Sequence, residues 1–269
     1  MSDDAILLPI AETGTRPPLY CVHAVSGSPF PYVPFGRAVG AGQPVFAVEA
    51  PGFDNDADPV ADVTALAERY AALLHSRHPA GQLALLGWSF GGVVAHETAL
   101  RLQRAGTDVA LLVLVDSTCP VPAPVPPEPE LLRRFVQDML SEAGLAAHEV
   151  RATLAALPHE SSPERFFAAA TASDSLLADL APALLRRRYG VFRAHVHALY
   201  THRARPGHRG RTLCVQADQS PPVGRTWDGV LDGAEVVTVP GDHHSIWSGT
   251  GLERLVAEVS GRLAGVEVR

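Results

Sequence analysis

Short apolar runs alternate along this chain with longer stretches of helical periodicity, and no other feature restricts the possible folds as strongly. The runs cover residues 19–25, 44–50, 82–87, 109–115, 212–216 and 235–239, and four of them carry almost no polar residue in their interior. Strands read this way when both sheet faces are covered. Between them, residues 60–78, 92–104 and 252–263 repeat apolar side chains at helical spacing. Strand–helix–strand alternation implies an α/β fold, a mostly parallel sheet flanked by helices.

One segment interrupts the alternation. Residues 120–129 contain six prolines, which excludes helix and central strand there, and residues 130–200 read as helix after helix. Ordinary βα connections are a few residues long, so an insertion is expected. The expected organisation is a core of residues 1–118 and 201–269, with a Pro-rich hinge and helical lid over 119–200. The lid follows a strand, on the side where α/β proteins bind ligands.

Composition narrows the function classes. The 269 residues carry a formal net charge of −7, which argues against nucleic acid as the main partner. No run approaches the roughly 20 apolar residues of a membrane span. The acidic start Met1-Ser2-Asp3-Asp4 leads into no signal-peptide core. A cytoplasmic location with no membrane partner is expected. The three cysteines, Cys21, Cys119 and Cys214, match no metal or redox spacing.

The chemistry concentrates at Leu85-Leu86-Gly87-Trp88-Ser89-Phe90-Gly91-Gly92, an apolar strand, then G-x-S-x-G, then a helix start. In that context the serine sits on a tight turn at the sheet's C-terminal edge, and the flanking glycines make room for it. The helix N-terminus adds positive potential where negative charge would develop. A serine nucleophile needs a base, and the base an orienting acid. In α/β-hydrolases these follow in the order Ser, acid, His. Asp116 ends an apolar run 27 residues after Ser89, and Asp218 follows a later strand 25 residues before His243. Either suits the acid. His243 and its neighbour His244, in Pro240-Gly241-Asp242-His243-His244-Ser245, both suit the base. An oxyanion hole would draw one backbone N–H from Phe90 and a second from the loop after the first strand, at Val25.

Other groups are weaker signals. His195, His197, His202 and His208 are unaccompanied by the carboxylates or thiolates of a metal set, so no metal is expected. The run Arg186-Arg187-Arg188 would suit an acidic carrier or phosphate, though such runs are commonly solvated helix faces. Residues 172–176 read as a helix N-cap. Phe30, Tyr32, Trp88, Phe90 and Trp247 fall in or beside the motif loops, where they would line an apolar channel or brace the loops.

These motifs together resemble the thioesterase domains of nonribosomal peptide and polyketide synthases. The likeness rests on Pro18-Leu19-Tyr20-Cys21-Val22-His23-Ala24-Val25-Ser26-Gly27, Leu86-Gly87-Trp88-Ser89-Phe90-Gly91-Gly92, Leu112-Val113-Leu114-Val115-Asp116-Ser117 and Pro240-Gly241-Asp242-His243-His244-Ser245-Ile246. Glu97, Leu102 and Gly106 also fit the pattern. The resemblance implies an α/β-hydrolase fold in which Ser89 takes an acyl or peptidyl chain from the phosphopantetheine thiol of a carrier protein. Water or an internal nucleophile then releases it. The resemblance implies Asp116 as acid, His243 as base, and Val25 and Phe90 as oxyanion donors, with no cofactor beyond the carrier's arm. Chain-terminating members place the acid after the strand that follows the nucleophile helix; editing members place it one strand later, where Asp218 stands. The loop His23-Ala24-Val25-Ser26-Gly27 departs from the His-Ala-Gly-Gly form of editing enzymes. A stand-alone editing thioesterase and a general small-ester hydrolase or acyltransferase are the alternatives. No carrier domain is expected in the residues before Ile6, and the expectation is either a discrete chain, which Met1 slightly favours, or a domain cut from a larger synthase.

Overall fold

The computed structural model describes residues 6–79, 81–159, 162–172, 177 and 180–266. Seven strands form one sheet: β1 (Leu7–Ala11), β2 (Leu19–Val22), β3 (Val45–Val48), β4 (Gln82–Trp88), β5 (Asp108–Val115), β6 (Arg211–Ala217) and β7 (Glu235–Val239), in the order β1-β3-β2-β4-β5-β6-β7. All neighbouring pairs are parallel except β1 with β3. Eight helices accompany the sheet among the described residues. Of these, α1 (Tyr32–Ala38), α2 (Val63–Arg77), α3 (Phe90–Ala105) and α8 (Gly249–Ala264) belong to the sheet layers.

The apolar runs are explained by what each face touches. Along β4, Leu83 and Leu85 join one core with α2 and α3, while Ala84, Leu86 and Trp88 join the other with α1 and α8. On β5, Val109, Leu112 and Leu114 face the first core, and Leu111, Val113 and Val115 the second. A register shift at Leu83/Ala84 accommodates the change of parity between Val109 and Leu111. Both faces are dry, so no polar alternation is left in the sequence.

Between β5 and β6 lie α4 (Glu128–Glu142), α5 (Ala147–Ala156), α6 (Pro163–Ala172) and α7 (Pro182–Thr201), with no strand among the described residues. They enclose a third core built on Leu132, Phe135, Phe167, Tyr189 and Phe192. The edge-to-face pairs Phe135–Phe167 and Phe135–Tyr189 fix its centre, at 5.7 and 5.6 Å between centroids.

Several elements depart from the sequence expectation. Helix α4 begins at Glu128, so Pro129 lies inside its first turn, where the missing N–H has no intrahelical partner to lose. Strand β1, interrupted by Pro9, is tolerated because it lies at the sheet edge. Helix α1 spans only seven residues around Pro34 and is too short for a periodic signal. Strands β2 and β3 stop earlier than expected, β2 because the chain turns away at His23 to form a loop over the sheet edge. Of the capping segment at 172–176, positions 173–176 lie outside the described residues. No helix among the described residues is long and apolar enough to cross a membrane.

The chain reverses its progression across the sheet between β2 and β4. Loops from the carboxyl ends of the parallel strands meet there, as the rule for open α/β sheets requires.

Candidate active site

Ser89 leaves β4 at φ 55° and ψ −123°, a strained conformation for a residue with a side chain. Neighbouring glycines permit it. A Cβ on Gly87 would lie 2.1 Å from the Gly91 carbonyl oxygen, and one on Gly91 would lie 2.3 Å from that of Val22. The elbow is pinned on both sides: the Ser89 N–H donates to Val115 O at 2.9 Å, and Ser117 Oγ donates to Ser89 O at 2.7 Å. Helix α3 starts at the next residue, so its N-terminus faces the space beside the hydroxyl.

Asp116 directly follows β5, also with positive φ, and is buried. His243 Nδ1 donates to its Oδ2 at 2.6 Å, Ser220 Oγ donates to the same oxygen at 2.7 Å, and the Ala217 N–H reaches Oδ1 at 3.1 Å. Burial pushes the carboxyl pKa up, but the hydrogen bonds from His243, Ser220 and Ala217 outweigh it and hold the group below its ordinary value. The carboxylate accepts the Nδ1 proton, so the lone pair of a neutral His243 is on Nε2. The loop presenting His243 is stiffened by Asp242, whose Oδ1 accepts the His244 and Ser245 N–H groups at 3.0 and 2.8 Å.

Ser89, Phe90, Asp116 and His243 line one cleft of about 570 Å³, completed by Val121, Tyr200 and Pro221. A second cleft of about 360 Å³ also opens on Ser89 and Phe90, beside Val25, Asp138 and Phe192. The serine stands where the two meet.

The rival assignments separate here. Asp218 is exposed and accepts the Gly241 N–H at 2.9 Å, supporting the loop of His243 from outside. His244 packs edge-on against Trp88 and lies 3.9 Å from Asp138 of α4. Burial and the neighbouring His243 depress its pKa to about 4, so it is neutral at physiological pH.

The aromatic residues near the motifs mostly brace loops. Buried Tyr32 donates to Val22 O at 2.5 Å and accepts the Trp88 N–H at 3.2 Å, while Trp247 packs edge-on against Tyr32 and Trp88. Phe30 differs: it is exposed at the rim of a third cleft, of about 550 Å³, between α4 and the His243 loop. Two of the three arginines in the basic run engage the loop after β3. Arg187 donates to Gly52 O and Asn55 O at 3.2 and 2.6 Å, and the Arg188 guanidinium lies 3.1 Å from the Phe53 ring centre. Those contacts clamp α7 onto the loop after β3 and leave these two side chains committed within the fold. Among the described residues, no group of three or more His, Cys, Asp or Glu side chains is arranged to hold a metal ion.

Sequence reasoning missed four contributors. Ser220 and Ser117 are ordinary loop serines whose role appears only when β6 and β4 lie beside β5. Asp138 and Glu142 are one helical turn apart on α4 and face His244 and Ser26, with Ser26 Oγ donating to Glu142 Oε1 at 2.7 Å. Only their spacing was visible beforehand.

The thioesterase domain family model matches residues 17–263. The chain belongs to the thioesterase domain family. This thioesterase domain is 37% identical over 114 residues to malpibaldin synthetase of Mortierella alpina, covering 42% of the chain and 2% of that protein. It is 33% identical over 112 residues to a dimodular nonribosomal peptide synthase of Bacillus subtilis, covering 42% of the chain and 5% of that protein. It thus spans only a few per cent of these curated relatives. Among solved structures, the thioesterase domain matches holo-AB3403, a four-domain nonribosomal peptide synthetase, at 26% identity and a TM-score of 0.79. That match covers 95% of this chain and 20% of the other.

Proposed function

We propose that this thioesterase domain releases an acyl or peptidyl chain from the phosphopantetheine thioester of a carrier protein, through an acyl-Ser89 intermediate, in nonribosomal peptide or polyketide assembly. The observation that carries the reading is the Asp116–His243 hydrogen bond of 2.6 Å, made in the same cleft that Ser89 lines on its strained elbow. His243 Nε2 takes the Ser89 proton as Oγ attacks the thioester carbonyl, and Asp116 holds the ring and stabilises the imidazolium. The N–H groups of Phe90 and Val25 receive the oxyanion. Collapse of the tetrahedral intermediate expels the pantetheine thiol, which takes the proton from His243. Water or a nucleophile within the chain then attacks the acyl-serine with His243 again as base, giving a free acid or a ring. No cofactor of its own enters these steps, and the carrier and its enzyme meet in the cytoplasm.

The engagement of Asp116, and not Asp218, with His243 supports the chain-terminating reading over the editing one. The test is intact-protein mass spectrometry with acyl- and peptidyl-loaded carrier protein, alongside Ser89→Ala. An acyl adduct on the wild type alone is expected, with a released acid, or a ring lighter by one water. Absence of adduct and release, together with failure of a fluorophosphonate probe to label Ser89, would overturn the proposal.

A further inference from the structure

We infer that His195, on lid helix α7, is a positioning residue for the oxyanion hole: its imidazole pins the loop that carries the Val25 N–H while packing against Phe90, the residue that supplies the other N–H. The inference rests on the reading of Val25 and Phe90 given above.

The peptide unit joining Ala24 to Val25 is trans, so its N–H points away from its carbonyl. That carbonyl, Ala24 O, accepts the His23 Nδ1–H at 2.8 Å and the Gly27 N–H at 3.1 Å. The next carbonyl, Val25 O, accepts the His195 Nδ1–H at 2.9 Å. Both peptide units around Val25 are therefore held by imidazoles, and the Val25 N–H cannot swing without breaking one of these bonds. The two rings also stack, with centroids 4.8 Å apart and planes 15° apart. His195 stacks on Phe90 as well, at 4.9 Å and 23°. One side chain of the lid thus touches both segments that carry the donors.

The chemistry of the ring fits that role. His195 is fully buried, and its Nε2 has no hydrogen-bond partner. An unpaired buried nitrogen is unfavourable, so packing alone would be better served by an apolar ring. What the imidazole adds over such a ring is the Nδ1–H to Val25. Burial, then the neighbouring His23, keeps the ring neutral, and with its one proton on Nδ1 toward Val25 O the Nε2 is left bare. On the far side of the stack, His23 Nε2 accepts the Tyr70 hydroxyl at 2.7 Å, tying the pair to α2.

Because His195 belongs to α7, the seating of the lid sets the shape of the hole. The loop approaches α7 so closely that a Cβ on Gly27 would lie 2.7 Å from Val191 Cγ1. The Arg187 and Arg188 contacts to the loop after β3 hold the same helix in place.

Two variants separate the hydrogen bond from the packing. His195→Phe keeps a ring against His23 and Phe90 but removes the donor. His195→Asn keeps a donor near the Nδ1 position but removes the ring. Steady-state rates on an acyl thioester would be measured with each, together with inhibition by an alkylboronic acid, which forms a tetrahedral adduct on an active serine. For His195→Phe the expected result is a kcat lower by about 10- to 100-fold, less than the complete loss of one oxyanion donor. KM should stay within about twofold and boronate affinity should fall by the same factor as kcat, because only the tetrahedral state uses the donor. His195→Asn should recover kcat to within about fivefold of wild type. Wild-type kcat and boronate affinity in His195→Phe would overturn the inference. So would equal losses in both variants with unchanged melting temperatures, since packing alone would then account for the effect. Should His195→Asn fail to fold, His195→Phe decides by itself. A wild type that neither turns over thioesters nor forms a boronate adduct would overturn the serine reading first and this inference with it.

Discussion

Ser89, Asp116 and His243 are held by different kinds of constraint, and the response to substitution should differ accordingly. Ser89→Ala should abolish acyl-enzyme formation without unfolding the chain, checked by adduct mass and circular dichroism. Asp116→Asn leaves the size of the side chain unchanged but alters the proton on His243 Nδ1, and should lower kcat by about 10⁴-fold. Asp218→Asn keeps an oxygen for the Gly241 N–H and should change kcat by less than about threefold. Equal losses in the two Asp variants would refute this division of roles. Gly91→Ala acts on the fold itself, since its methyl would meet the backbone carbonyls of Val22 and His23 at 2.3 and 2.5 Å. A loss of about 3 kcal/mol or more in urea unfolding is expected. Ser89 was legible because G-x-S-x-G after an apolar strand has few other uses. Asp116 and Asp218 were not separable by the residues themselves, because both end strands and both precede His243. Only the lateral order of β5, β6 and β7 decides which carboxylate meets the imidazole.

At the level of elements, inserted helix α4 carries two partly buried carboxylates, Asp138 and Glu142, one turn apart. Burial raises the Glu142 pKa to about 7, against which the Ser26 hydrogen bond works. Burial, then the Glu142 charge, holds Asp138 well above the usual carboxylate range. A carboxyl group whose folded pKa is raised loses stability as pH climbs from its unfolded value through the folded one. Glu142→Gln keeps an acceptor for Ser26 and removes that loss. It should therefore stabilise the protein by about 1–3 kcal/mol at pH 8 and leave it nearly unchanged at pH 5. Melting temperatures at the two pH values test this, and equal shifts at both would contradict it. The inserted helices were legible as helices from periodicity. Which of their side chains pack onto the loops of the core was not, because Arg187, His195 and Glu142 read as ordinary polar positions until the inserted helices are laid over the sheet edge.

The whole molecule stores an acid sensitivity in its buried and half-buried histidines. Burial depresses the pKa values of His23, His96, His208 and His244 to about 4. Each takes up a proton near 6.5 when unfolded, so the unfolded state binds more protons than the native one below that pH. Stability should fall as pH drops from about 6.5 through 4, with the raised carboxyls of Glu142 and Asp138 opposing. The urea midpoint measured across this range should decline steadily; a flat profile between pH 7 and 5 would show that these histidines ionise in place. Taken alone, the sequence determined the layers of the fold, the helical character of the insertion, the serine elbow and the candidate partners of that serine. Those properties depend on local periodicity, turn chemistry and chain order, which the residues carry within a few positions of one another. Tertiary structure decided which aspartate and which histidine pair, which serines support them, and that an imidazole of the lid reaches the loop of Val25. These contacts join residues separated by 28 to 170 positions, such as Ser117 with Ser89 and Val25 with His195. Their partners are chosen by strand order and lid placement, and no local pattern of residues encodes either.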